Sequence, residues 1–101
     1  MAFTWDPKKD DDNYRDHKMH LKDAEPIFFD PFRVTRRDDD SSISEERYQT
    51  IGMANKVLFV VYTERGIDDT HIISARTADP KERRIYHERK GREHGWVYDY
   101  P

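Results

Sequence analysis

The apolar run at residues 56–66, KVLFVVYTERG, most constrains the fold of this chain. Val57–Tyr62 are all aliphatic or aromatic and half of them are β-branched, which predicts a strand covered on both faces. Such a strand lies in the middle of a sheet rather than at its edge. Glu64–Arg65 follow, and Gly66 supplies a turn. The most apolar element therefore carries charged side chains at its C-terminal end.

The neighbouring segments predict an antiparallel sheet around this central strand. Short turns with Asn, Asp or Gly separate three apolar segments, a spacing typical of a meander. A shorter strand precedes them and is expected at an edge. The predicted strands lie at residues 32–36, 46–53, 56–65 and 70–75.

Helix signals flank the predicted sheet on both sides. The first helix begins with Asp6 as N-cap and a proline at its first position. The second begins near Leu21, and its Pro26 predicts a kink or a restart. The third begins at Asp79–Pro80 and ends at Gly91. The predicted fold class is α+β, with two N-terminal helices, a four-stranded antiparallel sheet and a C-terminal helix.

The length and composition of the chain indicate one small domain with a highly charged surface. The chain has 101 residues, a net charge of −3 and no cysteine, which excludes disulfides and thiolate chemistry. No apolar run approaches the ~18 residues of a membrane span. The N-terminus lacks a signal peptide's apolar region, so a cytoplasmic protein is expected. Residues 1–90 are predicted to form the domain and residues 91–101 a tail.

The tail is unusually aromatic, since it contains Trp96, Tyr98 and Tyr100 beside Val97. A solvated tail seldom needs so many apolar side chains. We expect it to dock on its own domain, on a second copy or on a partner. A disordered tail is the alternative.

Several kinds of site are excluded by the sequence. There is no glycine-rich phosphate loop, no GxSxG motif and no HExxH motif. Asp38–Asp40 lack the spaced ligands and glycine of a calcium loop and are predicted to be solvated. His17 and His20 could share a helical face, but a structural role is favoured over a metal site. No metal and no cofactor is predicted.

Charged residues at the strand ends form the best candidate site. Glu45, Glu46 and Arg47 open the second strand, and Arg65 ends the third, so they should meet at one end of the sheet. Arg76 ends the fourth strand and should lie at the opposite end unless the sheet is strongly distorted. A carboxylate base with arginines suits phosphodiester cleavage without a metal. Surface ion pairs are the plainer interpretation of the same spacing.

The chain resembles a known family at several blocks in order. These blocks are FTWDPKK…NYRDH, a DP after the second helix, EERYQTIGM, VLFVVYTERG and IISARTADPKERRIY. Together they are similar to BrnT-type toxins of bacterial type II toxin–antitoxin systems. The resemblance spans about residues 3–90 and implies a RelE-like fold. It implies an endoribonuclease that stops growth by cutting RNA without a metal.

The resemblance also implies partners and site residues. The partner would be a BrnA-like ribbon-helix-helix antitoxin. The toxin would reach operator DNA only through this antitoxin. A toxin dimer within the toxin–antitoxin assembly is a further possibility. By position, the resemblance implies catalytic roles for Arg65 and Arg76, a general base at Glu45 or Glu46, and a weaker candidate at His17. The residues implied to contact RNA are Arg47, Arg83, Arg84 and Tyr86.

The chain departs from the family at two positions. Lys18 stands where the family has glycine after the histidine, and glycine there would allow a left-handed backbone. Pro26 is unusual within the second helix. These departures bear on helix geometry. A non-catalytic module that binds the antitoxin through its acidic N-terminal third is the alternative function, and a decayed toxin is a third.

Overall fold

The computed structural model describes residues 2–41 and 45–99 and shows an α+β fold around one sheet. The strand order is β1-β5-β4-β3-β2-β6, so β4, which contains the apolar run, is an interior strand as predicted. The strands are β1 (Ala2–Thr4), β2 (Val34–Arg37), β3 (Tyr48–Ala54), β4 (Lys56–Glu64), β5 (Asp69–Thr77) and β6 (Val97–Tyr98). The main helices are α1 (Pro7–His17), a 3₁₀ helix (Leu21–Phe29) and α2 (Pro80–His87).

The predicted four-stranded antiparallel sheet was wrong, because the sheet has six strands and is mixed. The meander of β2 to β5 is antiparallel, as predicted. β1 adds to β5 in parallel, and β6 adds antiparallel to β2. These two strands have three and two residues, too few to show an alternating pattern. Their positions depend on long-range pairing that the local sequence does not indicate.

The second helix is a 3₁₀ helix, so the prediction of a kink or restart at Pro26 was wrong. The segment Leu21–Phe29 continues through the proline without a break. A 3₁₀ helix has three residues per turn, which aligns Leu21, Ala24 and Ile27 on one face. All three are fully buried against the sheet. Burial of this stripe stabilises a 3₁₀ geometry that is uncommon at nine residues.

Helix α1 begins as predicted and is attached to the sheet by one buried amide. The Asp6 side chain accepts a hydrogen bond from the backbone N–H of Lys8. Asn13 donates to the carbonyls of Met19 and Ala75 and accepts from the N–H of Ala75. The helix ends at Lys18, whose φ of 57° is left-handed. Lys18 thus adopts the left-handed backbone that glycine would allow, at a cost of about 1 kcal/mol.

Two apolar clusters lie on opposite faces of the sheet. Alternate residues of β4 divide between them, with Leu58, Val60 and Tyr62 facing the 3₁₀ helix and α1. Val57 and Phe59 face α2 and the C-terminal segment. We call these the inner face and the α2 face. The α2 face is only partly covered, because α2 has eight residues and packs near one end of the strands.

The C-terminal segment folds back onto the α2 face. Trp96 is 3% exposed and Tyr98 lies in β6, so these aromatics pack on the chain's own sheet. Helix α2 has the predicted capping box of Asp79 and Glu82, but it ends at His87 rather than at Gly91. A Cβ at Gly91 would lie 2.7 Å from Val34 Cγ1, so glycine serves a close approach there rather than a helix end.

Candidate active site

The uncovered part of the α2 face presents a row of residues across four strands, and three of the four are polar. Arg36 pairs in register with Gln49, Gln49 with Val61, and Val61 with Ser74. Residues paired in register point to the same face. Val61 is two residues from Phe59 and therefore lies on the α2 face. We call the part of the α2 face that helix α2 leaves uncovered, including this row, the open face.

A charged cluster lies beyond one end of the open face. Glu45 Oε2 is 3.7 Å from Arg65 Nη2, and Glu45 Oε1 is 3.9 Å from Arg47 Nη2. The backbone N–H of Arg65 donates to Asp69 O at 2.8 Å, which holds this residue beside the start of β5. The structure thus brings together three of the predicted site residues at one end of the sheet. We call Glu45, Arg47, Arg65 and His71 the Glu45 cluster.

His71 is the member of this cluster that sequence reasoning missed. Its Nδ1 lies 2.8 Å from the Thr4 hydroxyl, which in turn lies 3.4 Å from Asp69 Oδ1. Burial, and then the charge of Arg65, lower the pKa of His71 below its usual 6.5, although Glu45 acts in the opposite direction. The imidazole is therefore neutral at pH 7.

A β-bulge places His71 on the open face. Val61 pairs with Ser74, but Tyr62 pairs with Ile72, so Ile73 is an extra residue in β5. Without it, strict alternation from Ser74 would turn His71 to the inner face. With it, His71 pairs with Thr63 on the α2 face. The sequence shows no glycine at this point and hence no signal for the bulge.

Arg76 lies on the same face but not in the Glu45 cluster. It pairs in register with Phe59, five residues along β5 from His71 and thus about 16 Å away. Its two terminal nitrogens donate to the two carboxylate oxygens of Glu82 at 2.8 and 2.9 Å. Its guanidinium carbon lies 4.1 Å from the centroid of the Phe59 ring. The Glu82 carboxylate also raises the pKa of Arg76.

Glu45 and Glu46 are held differently. The Glu46 carboxylate accepts a hydrogen bond from the Tyr48 hydroxyl at 2.9 Å, which raises the pKa of Tyr48. Tyr48 packs against the inner-face cluster and stacks with Tyr62. The Glu46 side chain is thus bound to a residue of the inner face. Glu45 alone of this pair lies beside Arg65.

The other predicted site residues lie elsewhere. His17 is exposed at the end of α1, which packs on the inner face. Arg83 donates to the carbonyl of Ala78 at 2.7 Å. Arg84 is exposed and lines a shallow cavity along α2 with Lys81, Lys90 and His94. The Tyr86 hydroxyl donates to Asp30, and burial together with this bond raises the pKa of Tyr86.

The described residues contain neither a metal-binding group of side chains nor a membrane-spanning helix. Across residues 2–41 and 45–99, no three His, Asp or Glu side chains are arranged to hold a metal ion. Within the same described part, no helix is long and apolar enough to cross a membrane. Both findings concern the described residues only.

Comparison with known proteins gives a family and a fold. Residues 5–82 match the family described as the ribonuclease toxin BrnT of type II toxin–antitoxin systems. The comparison with curated proteins gave no match. Among solved structures, the Brucella abortus ribonuclease toxin BrnT is similar, with a TM-score of 0.60 and 22% identity over 78% of this chain and 97% of that chain. At that identity the structural match supports the fold alone. Because the family match covers most of the chain, this protein belongs to the BrnT family of ribonuclease toxins of type II toxin–antitoxin systems.

Proposed function

We propose that this chain is an endoribonuclease that cleaves RNA without a metal, at the Glu45 cluster. The observation that carries the proposal is the meeting of Glu45, Arg65 and His71 on an uncovered face. A neutral imidazole and a partly exposed guanidinium are the two groups that 2′-hydroxyl attack on a phosphodiester requires. The side chain of Arg65 is 51% exposed, so a phosphate can approach it.

We assign the general base to His71. The Thr4 hydroxyl donates toward Asp69 Oδ1, which leaves its lone pairs to accept from His71 Nδ1–H. With this assignment, Nε2 carries the free lone pair. Nε2 takes the proton of a ribose 2′-hydroxyl, and the 2′-oxygen then forms a bond to phosphorus. The bond from phosphorus to the 5′-oxygen breaks, which leaves a 2′,3′-cyclic phosphate. The departing 5′-oxygen takes a proton from solvent and becomes a hydroxyl, and His71 returns its proton to solvent.

Arg65 is proposed to stabilise the negative charge of the phosphorane. A guanidinium donates to two phosphate oxygens at once, which a lysine cannot do with fixed geometry. Glu45 lies within 4 Å of both Arg65 and Arg47, so we assign it to orienting these arginines rather than to proton transfer. Arg47 and Arg84 are proposed to contact RNA phosphates. Arg76 and Tyr86 are assigned to packing α2, because Glu82 and Asp30 already hold their polar atoms.

The proposed partner is a BrnA-like ribbon-helix-helix antitoxin made in the same cytoplasm. We propose that the antitoxin blocks cleavage and that the complex reaches operator DNA through the antitoxin. The non-catalytic alternative needs a free acidic surface on α1. Several of these carboxylates are paired within the chain, since Asp12 and Asp16 bind Arg15, and Asp10 binds His20 and the Leu21 N–H. This pairing favours the ribonuclease over the alternative.

The direct test is cleavage by the purified protein in excess EDTA, with free RNA and with ribosome-bound mRNA as substrates. We expect fragments that end in a 2′,3′-cyclic phosphate, and loss of cleavage when antitoxin is added. The His71→Asn variant serves as the inactive control. Intact RNA from both substrates would refute the proposal, as would cleavage that appears only when Mg²⁺ is restored.

A further inference from the structure

Arg36 lies on the open face with its guanidinium stacked on an aromatic ring, and it has no carboxylate partner in the described parts of the chain. The guanidinium carbon of Arg36 lies 4.2 Å from the centroid of the Trp96 ring. Its Nε donates to Gln49 Oε1 at 2.8 Å. These two contacts fix the plane of the guanidinium and one of its edges. Its two terminal nitrogens remain as donors toward solvent, in the geometry that binds a phosphate through two hydrogen bonds.

The C-terminal segment builds the platform under Arg36. Trp96 is buried, and its backbone N–H donates to Gly91 O at 2.9 Å. Gly95 precedes it with a φ of 85°, a conformation that favours glycine. The Trp96 ring also meets the edge of Phe59 at 6.4 Å between centroids. All of these residues except Phe59 follow residue 82, where the family match ends, so the platform is an addition to the matched region.

Arg36 borders two cavities, one lined by the aspartates Asp38–Asp40 with Arg37 and Gln49, and one on the Trp96 side whose charges leave room for an anion. Arg36 lines the second cavity together with Lys81, His94 and the carboxylates of Asp79 and Glu82. Glu82 is bound by Arg76 and by the backbone N–H of Asp79, and Asp79 accepts from the N–H of Glu82. Both carboxylates therefore have partners within the chain. Among the described residues, Arg36 and Lys81 are the cations of this cavity without an ion-pair partner.

The size and place of the cavity fit part of an RNA strand. Its volume is about 240 Å³, below the roughly 300–1,000 Å³ of pockets that enclose a drug-sized ligand. It therefore suits a phosphate with its adjoining sugar. Arg36 on β2 is three strands from His71 on β5, or about 14 Å across the sheet. That spacing places it beside the proposed cleavage site rather than in it.

We propose that Arg36, which stacks on Trp96 and is assisted by Lys81, binds a phosphate of the RNA strand that lies outside the cleavage site. The proposal rests on the proposed ribonuclease function for its choice of ligand. The phosphate accepts hydrogen bonds from the two terminal nitrogens of Arg36, and Lys81 adds a positive charge. The C-terminal segment would thus set how the substrate is held on this chain.

Binding of an uncleavable strand tests this subsite directly. The probe is a fluorescent single-stranded RNA with 2′-O-methyl groups, and the full-length protein is titrated at several salt concentrations. Arg36→Gln should weaken binding about five- to tenfold and lower the slope of log affinity against log salt by about 0.7. Trp96→Phe, which keeps an aromatic platform, should weaken binding less than Arg36→Gln.

Arg37→Gln is the matched control, because it removes the same charge one residue away. Arg37 pairs in register with Tyr48 of the inner face, and its side chain binds Asp39 at 3.4 Å. It should change binding less than twofold. Equal binding by the two variants would overturn the proposal. So would an Arg36→Gln variant that binds RNA normally but loses affinity for the antitoxin, because the surface would then belong to a protein partner.

Cleavage assays separate this proposal from the proposed function. Arg36→Gln should raise KM about five- to tenfold and leave kcat within threefold, whereas His71→Asn should lower kcat. A wild-type protein that binds the probe through Arg36 but never cleaves RNA would refute the ribonuclease and leave the phosphate subsite standing. Cleavage with a KM that does not depend on Arg36 would refute the subsite alone.

Discussion

Arg65 and Arg76 end neighbouring strands and have the same side chain, yet the fold holds them in opposite ways. Arg65 is half exposed and meets one carboxylate oxygen at 3.7 Å, a distance beyond a hydrogen bond. Arg76 is one-third exposed, donates to both oxygens of Glu82 and stacks on Phe59. An arginine whose donors are already occupied has few left for a phosphate. The loosely held arginine is therefore the better candidate for substrate contact.

The carboxylates that face these two arginines, Glu82 and Glu45, differ in the same way. Glu82 is only 13% exposed, and it serves both the capping box of α2 and the pair with Arg76. Glu45 is 33% exposed and lies near two guanidinium groups without a short contact to either. A short bidentate pair fixes the position of α2 on the sheet. A long, exposed pair contributes little to stability, on the order of 0–1 kcal/mol, and its partners can rearrange around a ligand.

The largest effect is expected from a change at His71, because this residue is the proposed general base and lies in the Glu45 cluster beside Arg65, far from Arg76. His71→Asn should lower kcat about 10²–10⁴-fold, the usual contribution of a general base. Because the pKa of His71 is lowered, the wild-type kcat/KM should rise with pH around a midpoint below 6.5 and level off above that midpoint. The rate falls at lower pH because a protonated imidazole cannot accept the 2′-hydroxyl proton. The measurement is the profile of cleavage rate against pH for both proteins, and a wild-type midpoint near the ~4.3 of an ordinary glutamate would return the base to Glu45.

Arg65→Ala should have the next largest effect on cleavage. Loss of one donor to the transition state typically costs about 10²–10³ in kcat. The melting temperature should change little, since exposed substitutions usually fall within about 0.5 kcal/mol of the wild-type stability. Arg15→Ala is the control, because Arg15 is also exposed and pairs with Asp12 and Asp16 on α1. If both variants lose activity equally, general charge rather than position explains the effect.

Substitutions at the adjacent residues Glu45 and Glu46 test which of the two carboxylates supports cleavage. Glu45→Gln should lower kcat about tenfold, because Arg65 and Arg47 lose the group that orients them. Glu46→Gln should change kcat less than threefold, because its carboxylate is bound to Tyr48. Both variants remove one negative charge at neighbouring positions, so a rate assay compares position alone. A larger loss in Glu46→Gln would contradict the assignment.

Arg76→Ala should affect cleavage least and stability most. It leaves the Glu82 carboxylate without its bidentate partner, at a cost of about 1–3 kcal/mol in the free energy of unfolding. Urea unfolding of Arg76→Ala, Glu82→Gln and the double variant gives the coupling energy of the pair. We expect the double variant to be less destabilised than the sum of the two single variants. Strict additivity would show that the pair does not hold α2.

Elements with strong local signals were predicted from the sequence. The run Val57–Tyr62 forms an interior strand that contributes to the apolar clusters on both faces, because aliphatic and aromatic residues follow one another without interruption. Asp79, Pro80 and Glu82 specify the start of α2 through adjacent backbone contacts. The meeting of Glu45 and Arg65 followed from strand direction alone. In each case the determining interactions lie within a few residues or one hairpin.

The features that were missed depend on distant pairing. His71 reaches the open face through the bulge at Ile73 and is held by Thr4, 67 residues away. The strands β1 and β6 are too short to show a period and exist only as additions to a formed sheet. The commitment of Arg76 to Glu82 requires α2 to pack over the end of β5. These contacts form only in the assembled fold, and no local pattern in the sequence indicates them.

The most direct test of the account is the cleavage rate of Arg65→Ala beside that of Arg76→Ala, both purified and assayed at a temperature where each is folded. The substrate, salt and protein concentration are the same for both. The account predicts that Arg65→Ala is at least about 30-fold slower than Arg76→Ala, given the expected loss of 10²–10³ at the first position alone. A folded Arg76→Ala variant that is as slow as Arg65→Ala, or slower, would contradict the claim that chemistry takes place at the Glu45 cluster.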